Sequence, residues 1–138
     1  MASASRTTTA AFTGVSWDEK DVSGSAPGPR LARASVVNDY TGGIEAKGAA
    51  CAYTLTYVTE VSGVFSGMER LDGSLDGRPG TFVVHQDGSF DEEGVIRCTF
   101  TVVPGSGTDG LAGLTGKGGY EVRPGEQRVE VTFTYELD

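Results

Sequence analysis

One histidine, two cysteines and one tryptophan are all this chain has of those residues. That scarcity excludes a zinc finger or any Cys/His metal cluster. Basic residues are also few, 11 against 19 acidic ones, for a net charge of −8. They are scattered singly, whereas a phosphate-gripping surface needs them clustered, so nucleic acid and anionic membranes are poor partners. The acidity reads as a device for solubility. No apolar run approaches the roughly 18 residues of a transmembrane helix. Met1 to Ala11 has one basic residue, Arg6, and no apolar segment of the kind a secretory signal needs. The expected compartment is the cytoplasm. There, Cys51 and Cys98 are expected to be small buried thiols rather than a disulfide.

What the chain does have is glycine, 21 of 138 residues, together with much Thr and Val. Its length suits a single domain over 1–138, with residues 1–6 expected to be a flexible N-terminus. A chain of this size buries about 68% of its unfolded surface and folds without staples. Period-two alternation dominates over helical periodicity. Val129, Val131, Phe133, Tyr135 and Leu137 share one face of a C-terminal strand, with Arg128, Glu130, Thr132, Thr134 and Glu136 on the other. Further strands are expected at Thr7–Trp17, Leu31–Thr41, Ile44–Thr59, Val64–Leu75, Gly80–Gln86, Val95–Val103 and Lys117–Val122. Gly48 is expected to mark a bend or bulge in the third. Asp76-Gly77 signals a hairpin turn. Strands joined mostly by short turns predict an all-β fold, a single eight-stranded antiparallel β-barrel of up-and-down connectivity. A sandwich is the alternative. A barrel of this size is either filled by side chains or holds one small ligand.

Several motifs fail on context. Gly105, Gly107 and Gly110 make a G-x-G-x-x-G string after a strand, but the Gly-rich stretch that follows cannot form the helix a dinucleotide site needs. Gly116-Lys117 lacks the first glycine and the Ser or Thr of a P-loop. Asp87, Asp91, Glu92 and Glu93 do not have EF-hand spacing and read as a solvated turn. Ser106 lies in a loop without the strand–turn–helix of a nucleophile elbow.

His85 sits alone in an apolar strand, with Glu69 in the strand before it. A turn at Gly77-Arg78 would set His85 opposite Arg70. A slip of one residue would set it opposite Glu69, giving an acid/base pair inside the barrel. The bland alternative is an outward, structural histidine. Trp17, Tyr53, Tyr57, Cys51, Cys98 and Phe100 are candidates to line a lumen, against the alternative that they simply fill the core.

Three segments resemble a known family. They are Gly67-Met68-Glu69-Arg70-Leu71-Asp72-Gly73 through Gly77-Arg78-Pro79-Gly80-Thr81-Phe82 to His85, the stretch Val103-Pro104-Gly105-Ser106-Gly107-Thr108 with Leu111-Ala112-Gly113-Leu114, and Ser16-Trp17-Asp18-Glu19. Together they resemble the domain of unknown function 3224 family, over about Thr8 to Leu137. The resemblance implies an allene oxide cyclase-like, eight-stranded antiparallel barrel. The wider group includes allene oxide cyclases, dirigent proteins and natural-product cyclases, which fold a flexible apolar substrate without a cofactor. The family supplies no catalytic motif to carry over.

The leading expectation is a cofactor-independent isomerase or cyclase. Its lumen folds a small hydrophobic substrate into a reactive shape. His85 and Glu69 would handle protons, Tyr53 and Tyr57 would shape the site, and Trp17 would stand at the mouth. The alternatives are a non-catalytic carrier of a small apolar ligand, and a filled barrel acting as a homo-oligomeric interaction module. Val95 and Val103, opposite the Ile96–Val102 face, predict some outer apolar surface.

Overall fold

The computed structural model describes residues 4–137. Its strands are β1 (Arg6–Gly24), β2 (Arg30–Gly42), β3 (Ile44–Tyr57), β4 (Gly63–Leu75), β5 (Arg78–Phe90), β6 (Ile96–Val102), β7 (Thr115–Val122) and β8 (Arg128–Glu136). Each pairs antiparallel with its neighbours in chain order. β1 also pairs with β8, so the sheet closes into an eight-stranded barrel without an edge. The expected architecture is present, and the sandwich is not. Of the N-terminal residues expected to be flexible, 1–3 lie outside the described residues, while Arg6 already pairs with Tyr135. No described helix is long and apolar enough to cross a membrane.

Two bulges decide which side chains point inward. In β3 the register shifts between Ala46 and Ala50, around Gly48 at φ 67°. Gly48 N–H donates to Asp39 Oδ1 at 2.8 Å. The extra residue moves the buried phase from Ile44 and Ala46 to Ala49, Cys51, Tyr53 and Leu55. In β1 the shift between Gly14 and Ser16 sets Trp17 opposite Val36. That strand runs beyond the expected Trp17, to Gly24. The phase change hides its alternation, and its charged stretch, Asp18 to Asp21, carries no apolar residue to mark a strand face.

The lower end of the barrel is shut. Phe82 and Phe133 stack at 6.2 Å between ring centroids, and Tyr135 stacks on Phe133 at 5.4 Å. The glycine-rich loop after β6 folds under them. Its 3-10 helix, Asp109–Leu111, delivers Leu111 into the core, and Leu114 follows. The loop is stitched to β5, where Thr108 N–H donates to Thr81 O at 3.0 Å and Val83 N–H to Ser106 Oγ at 3.1 Å. Gly107 is required there, because a Cβ would lie 1.9 Å from Leu111 O. Asp76, in the β4–β5 turn, ties the same end together. It accepts from Thr8 Oγ1 at 2.8 Å and from Tyr135 OH at 2.6 Å.

The outer apolar surface differs from the expectation. Val95 is buried at the β5–β6 turn, and the exposed apolar side chains on the outer wall include Val64 and Met68.

Candidate functional site

The β4–β5 turn is the two-residue Asp76-Gly77, flanked by paired Leu75 and Arg78. Both central residues have positive φ, 46° and 85°, as a tight type I′ hairpin requires. This register sets Glu69 opposite Val84 and His85 opposite Met68. Directly opposed residues share a face, so Glu69 points inward with Val84 and His85 points outward with Met68. The expected His85–Glu69 pair does not form. His85 is 42% exposed, 3.2 Å from Ser66 Oγ and 3.7 Å from Asp87 Oδ2.

Glu69 is fully buried at mid-barrel and is the hub of a polar layer. Its Oε1 accepts from Tyr40 OH at 2.6 Å and from Gln86 Nε2 at 2.9 Å, and its Oε2 accepts from Asn38 Nδ2 at 2.9 Å. The other end of Gln86 continues the layer. Its Oε1 accepts from Tyr53 OH at 2.6 Å and Tyr120 OH at 3.1 Å, with Cys98 Sγ at 3.5 Å. A buried polar group without partners is costly, and this layer leaves none of these groups alone.

Burial pushes the Glu69 carboxyl up from its ordinary value, outweighing three hydrogen bonds that pull it down. Burial likewise raises the phenols of Tyr40, Tyr53 and Tyr120 well above the usual range. All three therefore stay protonated at neutral pH. Cys51 and Cys98 are free thiols, as expected. Burial pushes them to about 12 and about 11, so neither is a ready nucleophile.

Above this layer the barrel is open. A chamber of about 650 Å³ reaches the upper rim, walled chiefly by apolar and aromatic side chains such as Val36, Leu55, Phe65 and Ile96. Asn38, Tyr53 and Tyr120 face it from the polar layer, whereas Glu69 and Gln86 lie behind them. Small residues make the room. Ala32 and Ala34, buried on β2 opposite Leu55 and Tyr53, let those two side chains lie back against the wall. Gly88 lets the Phe65 ring lie flat, since a Cβ there would come within 2.3 Å of Phe65 Cζ.

At the mouth Trp17 is 55% exposed, 6.0 Å from the Tyr53 ring. Tyr57 donates to Glu19 Oε2 at 2.6 Å beneath the Arg30 guanidinium, which lies 3.7 Å from its ring centroid. The rim carboxylates are engaged. Asp91 accepts from the Glu93 and Val95 N–H groups at 3.0 Å each, and Glu126 from Arg123 N–H at 2.7 Å.

Of the sequence candidates, Trp17, Tyr53 and Tyr57 line the chamber. Glu69, Cys51 and Cys98 belong to the layer beneath or beside it, and Phe100 packs in the closed lower core. Sequence reasoning missed Asn38, Tyr40, Gln86 and Tyr120. A signal was present, because Gln86 falls in phase with Phe82 and Val84, and Asn38 in phase with Val36 and Tyr40. A polar residue on a buried phase asks for a buried partner. Among the described residues no group of three or more His, Cys, Asp or Glu is placed to hold a metal ion.

The model of the family described as "Protein of unknown function (DUF3224)" matches residues 8–135. The chain belongs to this family. A crystal structure of a family member of unknown function, from Shewanella oneidensis MR-1, has the same fold, with a TM-score of 0.75 at 22% identity. The match covers 98% of this chain and 99% of that one. No curated protein matches the chain.

Proposed function

We propose that this member of the DUF3224 family binds one small, mostly apolar molecule in the upper chamber of its barrel. The observation that carries the reading is the chamber itself, about 650 Å³, apolar in its walls and open at one rim. Ligand sites are commonly 300–1,000 Å³, lined by apolar side chains with a few fixed polar groups. Here Asn38, Tyr53 and Tyr120 supply the polar groups, and the layer behind them fixes their directions. The reading calls on no cofactor.

N-phenyl-1-naphthylamine is a suitable first probe, being apolar and brighter out of water. The expected result is a saturable one-to-one rise in its fluorescence, with quenching of Trp17 at the mouth. Val36→Phe narrows the chamber and should weaken binding at least about tenfold, or about 1.4 kcal/mol. Absence of a saturable signal overturns the reading.

A second reading is a cofactor-independent isomerase or cyclase, in line with the resemblance to allene oxide cyclase-like barrels. One observation favours it, namely that a buried carboxyl is linked through Gln86 to two phenols facing the chamber. Because the two phenols stay protonated and already donate to Gln86, they suit stabilisation of developing positive charge through their oxygens better than proton abstraction. If the protein converts a bound epoxide or polyene and Tyr53→Phe lowers kcat while leaving affinity intact, this reading replaces the carrier reading.

A further inference from the structure

We infer that the polar end of the ligand is a hydrogen-bond donor, a hydroxyl or an uncharged N–H, and not a carbonyl or carboxylate. The inference rests on the binding reading above and deepens it. It follows from where the hydrogens of the chamber floor are already committed. A phenol has one hydrogen to give. Tyr53 and Tyr120 both reach Gln86 Oε1, at 2.6 and 3.1 Å, and their hydroxyls lie 3.4 Å apart, so both phenol hydrogens are spent within the layer. Asn38 gives an amide hydrogen to Glu69 Oε2 at 2.9 Å. Its Oδ1 lies on the side of Gly14, 3.9 Å from where a Cβ on that glycine would be, and Gly14 lines the same chamber.

The arrangement is locked from below. Gln86 cannot reverse its amide, because its Nε2 donates to Glu69 Oε1 at 2.9 Å and its Oε1 receives both phenols. A reversed amide would set its oxygen against the carboxyl and its NH₂ against two donors. The phenol oxygens and the Asn38 carbonyl are therefore left with lone pairs for the chamber. A donor entering from above completes them. At the two phenols an acceptor meets oxygen against oxygen, unless a phenol gives up its bond to Gln86. Asp91 and Glu126 at the rim add a further bias against a carboxylate.

The test is displacement of bound N-phenyl-1-naphthylamine by three molecules of matched chain, 1-decanol, 2-decanone and decanoate. The expected order is alcohol first, with ketone and carboxylate at least about tenfold weaker, one hydrogen bond's worth. In Gln86→Met the two phenol hydrogens are released and the alcohol-over-ketone preference should shrink towards unity. If the ketone or the carboxylate displaces the probe as well as the alcohol does, the donor inference is overturned while the chamber reading stands. If the probe itself never binds, both fall. Should Gln86→Met not fold, the wild-type order alone decides.

Discussion

The two halves of this barrel are built from the same eight strands and differ in what occupies the axis. Below the polar layer, Phe82, Phe133, Tyr135, Leu111 and Leu114 pack across it. Above the layer, side chains such as Val36, Leu55, Phe65 and Ile96 stand around the axis without meeting across it, and a chamber remains. The lower end gains an additional plug from the β6–β7 loop, whereas the turns at the upper end line the mouth without closing it. Barrel closure alone thus does not decide between a core and a container. Side-chain volume on a few inward positions, and one loop, decide it.

The largest contrast should come from truncations to alanine in the two halves. Phe133→Ala removes a fully buried ring from the packed half and should cost about 3–5 kcal/mol. Ile96→Ala, on the half-buried chamber wall, should cost about 2 kcal/mol or less. Urea unfolding midpoints check both, and equal costs would mean that the upper half is packed as tightly as the lower.

Unplugging comes next. Leu111→Ala should cost about 2–4 kcal/mol. It should also open the lower end, read as faster amide exchange at Leu75 and Leu114 with little change at Leu55.

The layer between the halves should show itself through pH. Burial raises the Glu69 carboxyl above its ordinary 4.5. Between that value and the folded one, the native state holds a proton that the unfolded chain has lost. Stability from this group is therefore full below about 4.5 and is lost as pH rises through the folded value. The wild-type loss should reach at most about 1.4 kcal/mol per pH unit in that window. Glu69→Gln should flatten it, and an unchanged slope would place the titration elsewhere.

The smallest effect is expected outside both halves. His85→Ala should change stability by less than about 0.5 kcal/mol, as exposed sites usually do, and should leave probe binding unchanged.

The sequence carried the strands well, because period-two alternation is strong in β3, β6 and β8. It carried β1 poorly, since the Gly14/Ser16 bulge reverses the phase midway. The β6–β7 loop looked like a plain connection. That Leu111 and Leu114 plug the barrel depends on the long-range stitching to β5, which no local pattern reports. At the site, Tyr53 is legible on the apolar phase of its strand, whereas Glu69 is reached only through a pairing with His85 that does not form. The His85 pairing failed on register, because it needed a one-residue slip, and the two-residue turn at Asp76-Gly77 allows none and keeps His85 and Glu69 on opposite faces. Gln86, the residue that joins Glu69 to the two phenols, was overlooked beside its more conspicuous neighbour.

The most direct test of the contrast between halves is a methyl NMR titration with 1-decanol. The account predicts saturable shifts at Val36, Leu55, Ile96 and Val122 around the chamber, and none at Leu71, Leu75, Val102, Leu111 and Leu114 below the polar layer. Shifts spread evenly over both sets, or absent from the first, would contradict it.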